Sequence, residues 1–180
     1  MFRFFASGGN QVSAFIAAIL SGVLLVLSFP SVGHPAFAWF SLCPLLVTLH
    51  YTRSLPAAFS LGLATGVVQF GGTLPWLTQV MVEFGGFPFV VGMLLNGLLV
   101  VYLALFPAAF ALMFVVLRQR FGASALFGAA PIWLTTELGR LWLLGGFPWE
   151  LLGYSQAAVL PVAQIASLWG VHGITLLVVF

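Results

Sequence analysis

Hydrophobic residues run through this chain in long blocks, separated by short clusters of Gly, Pro and an occasional charge. Six blocks are long enough to read as helices: Gln11 to Phe29, Ala36 to Tyr51, Pro56 to Leu77, Phe89 to Leu117, Ala123 to Leu143 and Val159 to Phe180. A helix crosses a hydrocarbon core of roughly 30 Å with about 20 apolar residues, so the pattern predicts an all-α, polytopic transmembrane helical bundle of about six spans. The second block is short for a crossing, and the fourth is long enough to tilt or to project beyond the bilayer. Pro44, Pro75, Pro107 and Pro131 fall inside blocks or near their ends, where each removes a backbone donor and bends its helix. Ala18-x3-Gly22 and Gly62-x3-Gly66 place small residues on one helix face and predict close helix contacts.

Composition turns this pattern into a statement about solvent. Of the 180 residues, 62% are hydrophobic and 4% are charged, with a mean hydropathy of +1.19; a soluble domain carries about a quarter charged residues. Residues 1–180 therefore read as one transmembrane helical domain with no soluble domain. The charges are five Arg and three Glu, with no Lys and no Asp. Most acid, base and nucleophile sets need one of those two residues, so no catalytic residue is assigned. A single Cys excludes an internal disulfide and a Cys-based metal cluster, the three His are too scattered for a ligand set, and no metal is predicted. The pI near 9.2 reflects a net charge of only +2 and carries no nucleic-acid signal.

Arg3, Arg53, Arg118 and Arg120 fall on one side of a six-span arrangement, while Glu83, Arg140 and Glu150 fall on the other. Positive charges near span ends are retained in the cytoplasm, which predicts a cytoplasmic N-terminus. The apolar run Val12 to Leu27 behind Arg3 resembles a secretory signal, but no A-x-A-like site follows it, and an uncleaved anchor is expected. Thr175 to Phe180 ends the chain without a polar flank, which reads as a piece of a longer protein.

Candidate chemistry gathers on the side opposite the four Arg. The connection Gly145 to Gln156 combines Gly and Pro direction changes with Phe147, Pro148, Trp149, Tyr154, Ser155 and Gln156. It reads either as an aromatic belt at headgroup depth or as a lipid-contacting functional loop. Glu137 and Arg140, three apart on the fifth helix, share a face and are placed to pair. Ionisable groups at membrane depth point to function, though a pair at a helix end also serves to orient the loop. Trp76 and Glu83 accompany a second Gly-Pro-aromatic loop, Phe84-Gly85-Gly86-Phe87-Pro88. Cys43 has no neighbouring base or cation to form a thiolate and is expected to pack in the core. Gly153-Tyr154-Ser155-Gln156-Ala157 falls short of the G-x-S-x-G elbow, lacking its strand context and orienting acid. His34 and His50 are expected at span ends, and His172 inside the sixth span, placed to bond a neighbouring helix.

The chain resembles the membrane-embedded N-terminal part of bacterial apolipoprotein N-acyltransferases over most of its length. The resemblance rests on Ser28-Phe29-Pro30, Pro35 and Leu45-Leu46, then Gly71-Gly72 with Trp76, then Phe84-Gly85-Gly86 with Pro88. Its most specific part is Thr136-Glu137, Arg140, Trp142, Gly146-Phe147-Pro148-Trp149 and Gly153-Tyr154-Ser155-Gln156. It implies a multi-pass protein of the bacterial inner membrane with periplasmic outer loops. Such an enzyme passes an acyl chain from a phospholipid, through a thioester, to the diacylglyceryl-modified N-terminal cysteine of a lipoprotein. It implies no cofactor, and it implies a nitrilase-like periplasmic domain with a Glu-Lys-Cys triad. A chain without Lys lacks that triad, so these residues alone are expected to be inactive. Two other classes fit the residues: a small transporter or channel subunit, and a non-catalytic lipid-binding membrane scaffold. Against transport, the obvious charges lie at span ends, with Gln69, Asn96 and Gln164 as interior exceptions.

Overall fold

A computed structural model describes residues 9–29 and 33–180, all of whose regular structure is helical. Among the described residues eight α-helices follow one another: α1 Gly9–Val26, α2 Cys43–Tyr51, α3 Leu55–Thr73, α4 Pro75–Glu83, α5 Phe89–Phe121, α6 Ala129–Trp142, α7 Leu160–Ala163 and α8 Ala166–Val179. Short 3-10 segments at Pro35–Phe40, Gly122–Gly128, Leu143–Gly145 and Leu152–Gln156 join them. Arg3 and Pro30, which entered the topology and the resemblance, lie outside the described residues.

Leu55–Thr73 and the continuous helical run Phe89–Gly145 are long and apolar enough to cross a membrane. Gln11–Val26, Pro35–Tyr51 and Ala166–Val179 are shorter apolar stretches. Outward faces carry Ile16, Leu94, Leu98 and Val101, each more than half exposed. Such continuous apolar faces suit an apolar solvent and burden a soluble monomer.

Helix α3 lies between α1 and α5 and packs most extensively on α5. The close approach follows from missing side chains: a Cβ on Gly62 would stand 2.4 Å from the Pro107 carbonyl oxygen, and one on Gly66 2.6 Å from the Ala104 Cα. On the other side of α3, Gly22 faces the Thr65 carbonyl, and the Thr65 hydroxyl donates to the Ala18 carbonyl at 2.9 Å. The α2 N-terminus borrows its acceptor from α1: the Leu45 amide, one of the donors a helix start leaves free, bonds Ser21 Oγ at 2.9 Å. Phe110, Phe114 and Trp133 then fill the space between α5 and α6, with Phe110 and Trp133 meeting edge to face at 5.1 Å.

Four of the expected blocks are broken, Ala123 to Leu143 among them, which divides into the 3-10 segment Gly122–Gly128 and α6. The block ending at Leu77 divides at Leu74, because Pro75 has no amide to continue α3 and disfavours helical geometry in the residue before it; Leu74 sits at φ −105°, ψ 13°. Ala36 to Tyr51 divides into a 3-10 segment and α2, with Pro44 near the α2 start. The last block divides into α7 and α8, and α8 itself kinks at Gly170, whose φ is +64°. Cys43 corrects a further expectation: it is exposed on the outer face of α2, not packed in the core. His172 buries an Nδ1 that has no partner, so that atom makes no interhelical bond.

Asn96 on α5 holds the broken piece. Its Nδ2 donates to the Leu74 carbonyl and to Thr78 Oγ1, each at 3.0 Å, tying α4 to α5. Replacing Asn96 by Leu is expected to cost about 0.5–1.5 kcal/mol and to speed amide hydrogen exchange in residues 75–83 relative to α5. Equal exchange in the two proteins would remove Asn96 from this role.

Candidate functional site

The end of α6 carries Trp133, Glu137 and Arg140 on one buried face, as spacings of three and four require. Glu137 is 4% exposed. Its Oε1 accepts from Trp133 Nε1 at 3.1 Å and from the Leu152 amide at 2.7 Å, while Oε2 accepts from the Thr175 hydroxyl at 3.0 Å. Thr175 Oγ1 in turn accepts from the Gly153 amide at 3.0 Å. One carboxylate thus gathers α6, the 152–156 turn and α8.

Arg140, 3% exposed, does something different from the pairing its spacing suggests. Its Nη2 donates to the Glu150 carbonyl at 3.1 Å, and its guanidinium stands 5.1 Å from the centre of the Phe70 ring on α3. Among the described residues no Arg nitrogen closes an ion pair with a Glu oxygen; Glu137 and Arg140 act on each other only through their charges. Glu137 meets backbone and hydroxyl donors, and Arg140 tethers the loop that follows its own helix. The Phe147 amide completes that tether by donating to the Arg140 carbonyl at 2.9 Å.

The tethered loop is strained. Leu144 has φ +50° and Glu150 φ +59°, left-handed values that cost a side chain roughly 1–3 kcal/mol. Between them Gly145 and Gly146 take φ +88° and +82°, a region that glycine enters freely. The Glu150 side chain returns to α3, where its Oε2 is hydrogen-bonded with Thr73 Oγ1. Burial pushes the Glu150 carboxyl up to about 7, against the positive charge of Arg140. A small cavity lies beneath, lined by Gln69, Phe106, Thr136, Glu137, Arg140 and Glu150 among others, with room for about one water molecule.

The remaining predicted residues divide between clamp and surface. Gln156, 1% exposed, donates from Nε2 to the Pro35 carbonyl at 2.9 Å and accepts from Trp39 Nε1 at 3.4 Å. The buried Ser155 donates to the Leu152 carbonyl at 2.6 Å and lies 2.9 Å from Gln156 Nε2, so its hydroxyl is spent on the turn. Phe147 packs against the cluster of Phe70, Leu74 and Leu103, and its ring lies tilted against that of Trp149, centres 5.4 Å apart. Pro148, Trp149 and Tyr154 are exposed. Trp76 and Glu83 are exposed on α4, which starts one residue beyond Leu74; neither joins the Glu137 and Arg140 cluster. Sequence reasoning left out Trp133, Thr73, Phe70 and Thr175. Trp133 was within reach, because it stands one helical turn before Glu137; the other three come from distant helices and carry no local signal.

At the far end of α5 the charge is of one kind. Arg118 Nη2 donates to the Thr52 carbonyl at 2.7 Å and Gln119 Nε2 to the Arg53 carbonyl at 2.9 Å, gathering Arg53, Arg118 and Arg120 at that end. About 45 Å of helix, at about 1.5 Å per residue, separates Arg118 and Arg120 from Phe89.

Residues 21–180 match the family model described as the apolipoprotein N-acyltransferase N-terminal domain. The chain is 41% identical over 165 residues to an apolipoprotein N-acyltransferase of Geobacter metallireducens, covering 91% of this chain and 31% of that protein. It is 37% identical over 174 residues to one from Pasteurella multocida, covering 95% and 32% respectively. For one from Vibrio vulnificus the identity is 36% over 167 residues, covering 90% and 32%. The chain therefore spans about a third of the length of the curated relatives it matches.

Proposed function

The chain belongs to the apolipoprotein N-acyltransferase family, and we propose that it forms the membrane-embedded part of an enzyme that moves an acyl chain from a phospholipid to the N-terminal diacylglyceryl-cysteine of a lipoprotein. In this reading residues 1–180 are one helical domain of a longer protein. Six crossings place the N-terminus in the cytoplasm and the loops at 84–88 and 143–156 in the periplasm of a bacterial inner membrane. The Glu-Lys-Cys triad implied by the resemblance needs a Lys, which these 180 residues lack. Covalent acyl transfer, with Cys as nucleophile and Lys beside the oxyanion, then belongs to a nitrilase-like domain, and this part alone is inactive.

The observation that carries the reading is the fixed aromatic loop. Arg140 and Glu150 bind it to α3 and α6, and Glu137 and Gln156 bind the turn behind it, while Pro148, Trp149 and Tyr154 stay exposed. Buried charge spent on holding an exposed aromatic surface is expensive in a membrane. A lipid-handling mouth, shared with Trp76 and Glu83, accounts for that expense. The three gathered Arg lie at the opposite end, as a cytoplasmic face requires. A photoactivatable phospholipid incubated with the full-length enzyme is expected to label residues 76–89 and 142–154. Labelling confined to the outer faces of α1 and α5 would sink the proposal.

A further inference from the structure

The hydroxyl of Thr73 has two oxygens in reach and one hydrogen to give. It stands 2.9 Å from the Gln69 carbonyl, one turn back on α3, and closer still to Glu150 Oε2. If its hydrogen goes to the carbonyl, the second contact needs a hydrogen from Glu150. Glu137 makes no such demand, since an amide and an indole N–H donate to one of its oxygens. The other receives the hydrogen of Thr175, whose own oxygen already accepts from the Gly153 amide. Glu137 as carboxylate and Arg140 as guanidinium already balance, so an ionised Glu150 would leave a net negative charge in a largely buried cluster, where unpaired charge is costly.

We propose that Glu150 is a proton-binding site: it stands as a carboxylic acid whose Oε2–H donates to Thr73 Oγ1, while the Thr73 hydroxyl donates to the Gln69 carbonyl. The proton comes from solvent water and returns to it. The groups around Glu150 are Arg140 and Glu137 from α6 and Thr73 and Gln69 from α3; Tyr102 from α5, whose hydroxyl donates to the Leu143 carbonyl, acts on Arg140. Burial acts in the same direction, raising the carboxyl from 4.5 to about 7.

The sign follows from linkage. A carboxyl that binds its proton more tightly in the docked loop than in a free one favours docking fully below about 4.5. That advantage is lost as pH rises to about 7, and there is no further loss above it. Deprotonation removes the donor to Thr73 and adds a second negative charge, leaving the strained turn from Leu144 to Glu150 with less to hold it. The loop is therefore a latch that loosens with rising pH. This inference concerns the proton alone and stands whether or not the loop handles lipid.

Isotope-edited infrared titration of the full chain in lipid nanodiscs tests it. The expected result is a protonated carboxylic-acid band, abolished by Glu150→Gln, that titrates well above the ordinary glutamate range. Thr73→Val supplies a second, sign-sensitive reading. If Glu150 donates to Thr73, losing the acceptor lowers the midpoint by about one unit, a tenfold weaker hold on the proton. If Thr73 donates to a carboxylate, the midpoint rises. No acid band about one pH unit below neutrality, or a midpoint in Thr73→Val that stays or rises, overturns the proposal.

Discussion

Glu137→Leu is expected to cost about 3–5 kcal/mol, because it removes one partner of a buried charge cluster and leaves the rest in place. The leucine fills much of the volume, so packing loss is the smaller term. Three donors, from Trp133, Leu152 and Thr175, lose their acceptor together, and each such group buried unpaired costs about 1–3 kcal/mol. Arg140 loses its nearest balancing charge as well. Glu137→Gln keeps an oxygen for Trp133 and Leu152, and its amide can donate to Thr175, so a loss of about 1–3 kcal/mol is expected from the uncompensated Arg140. Thermal unfolding in detergent micelles should place the two variants in that order below wild type. A Glu137→Leu melting curve that overlays the wild-type curve would remove the carboxylate from the centre of this junction.

Gly62→Val is the second large effect, and it acts through distance. Already at Cβ the new side chain meets the Pro107 carbonyl oxygen at 2.4 Å and the Ala108 Cα at 2.7 Å. Both are backbone atoms of a helix, with no rotamer to turn away, so α3 and α5 must separate along the most extensive contact in the molecule. Overpacking usually costs about 1–3 kcal/mol, and the upper end applies because the strain is rigid and membrane helices rely on close packing for their association. Gly97→Ala on α5 is the control: nothing lies within 4 Å of its Cβ, and its change in stability should be near zero or favourable. Equal melting temperatures for Gly62→Val and Gly97→Ala would show that the contact does not hold the bundle.

Local spacing made part of this architecture legible in the sequence. Gly62-x3-Gly66 marks the α3 contact face because two small residues one turn apart have one structural use in an apolar helix. Glu137 and Arg140 are visible as a shared face, but not as what they become. Their partners, Leu152, Thr175, Glu150 and Phe70, depend on how a loop and two other helices return, which no helical period encodes. The division at Leu74 was written in Pro75 and was masked by apolar residues on both sides. Cys43 was assigned to the core by residue type, yet where the outer solvent is apolar a small thiol has little reason to prefer the inside.

The fork of Gln156 onto Pro35 and Trp39 bridges residues 121 and 117 positions apart. In a chain made from its N-terminus, the Pro35 carbonyl and the Trp39 indole cannot meet this partner until residue 156 has been made. The aromatic end is thus held by contacts that join distant parts of the chain, the kind that form slowly.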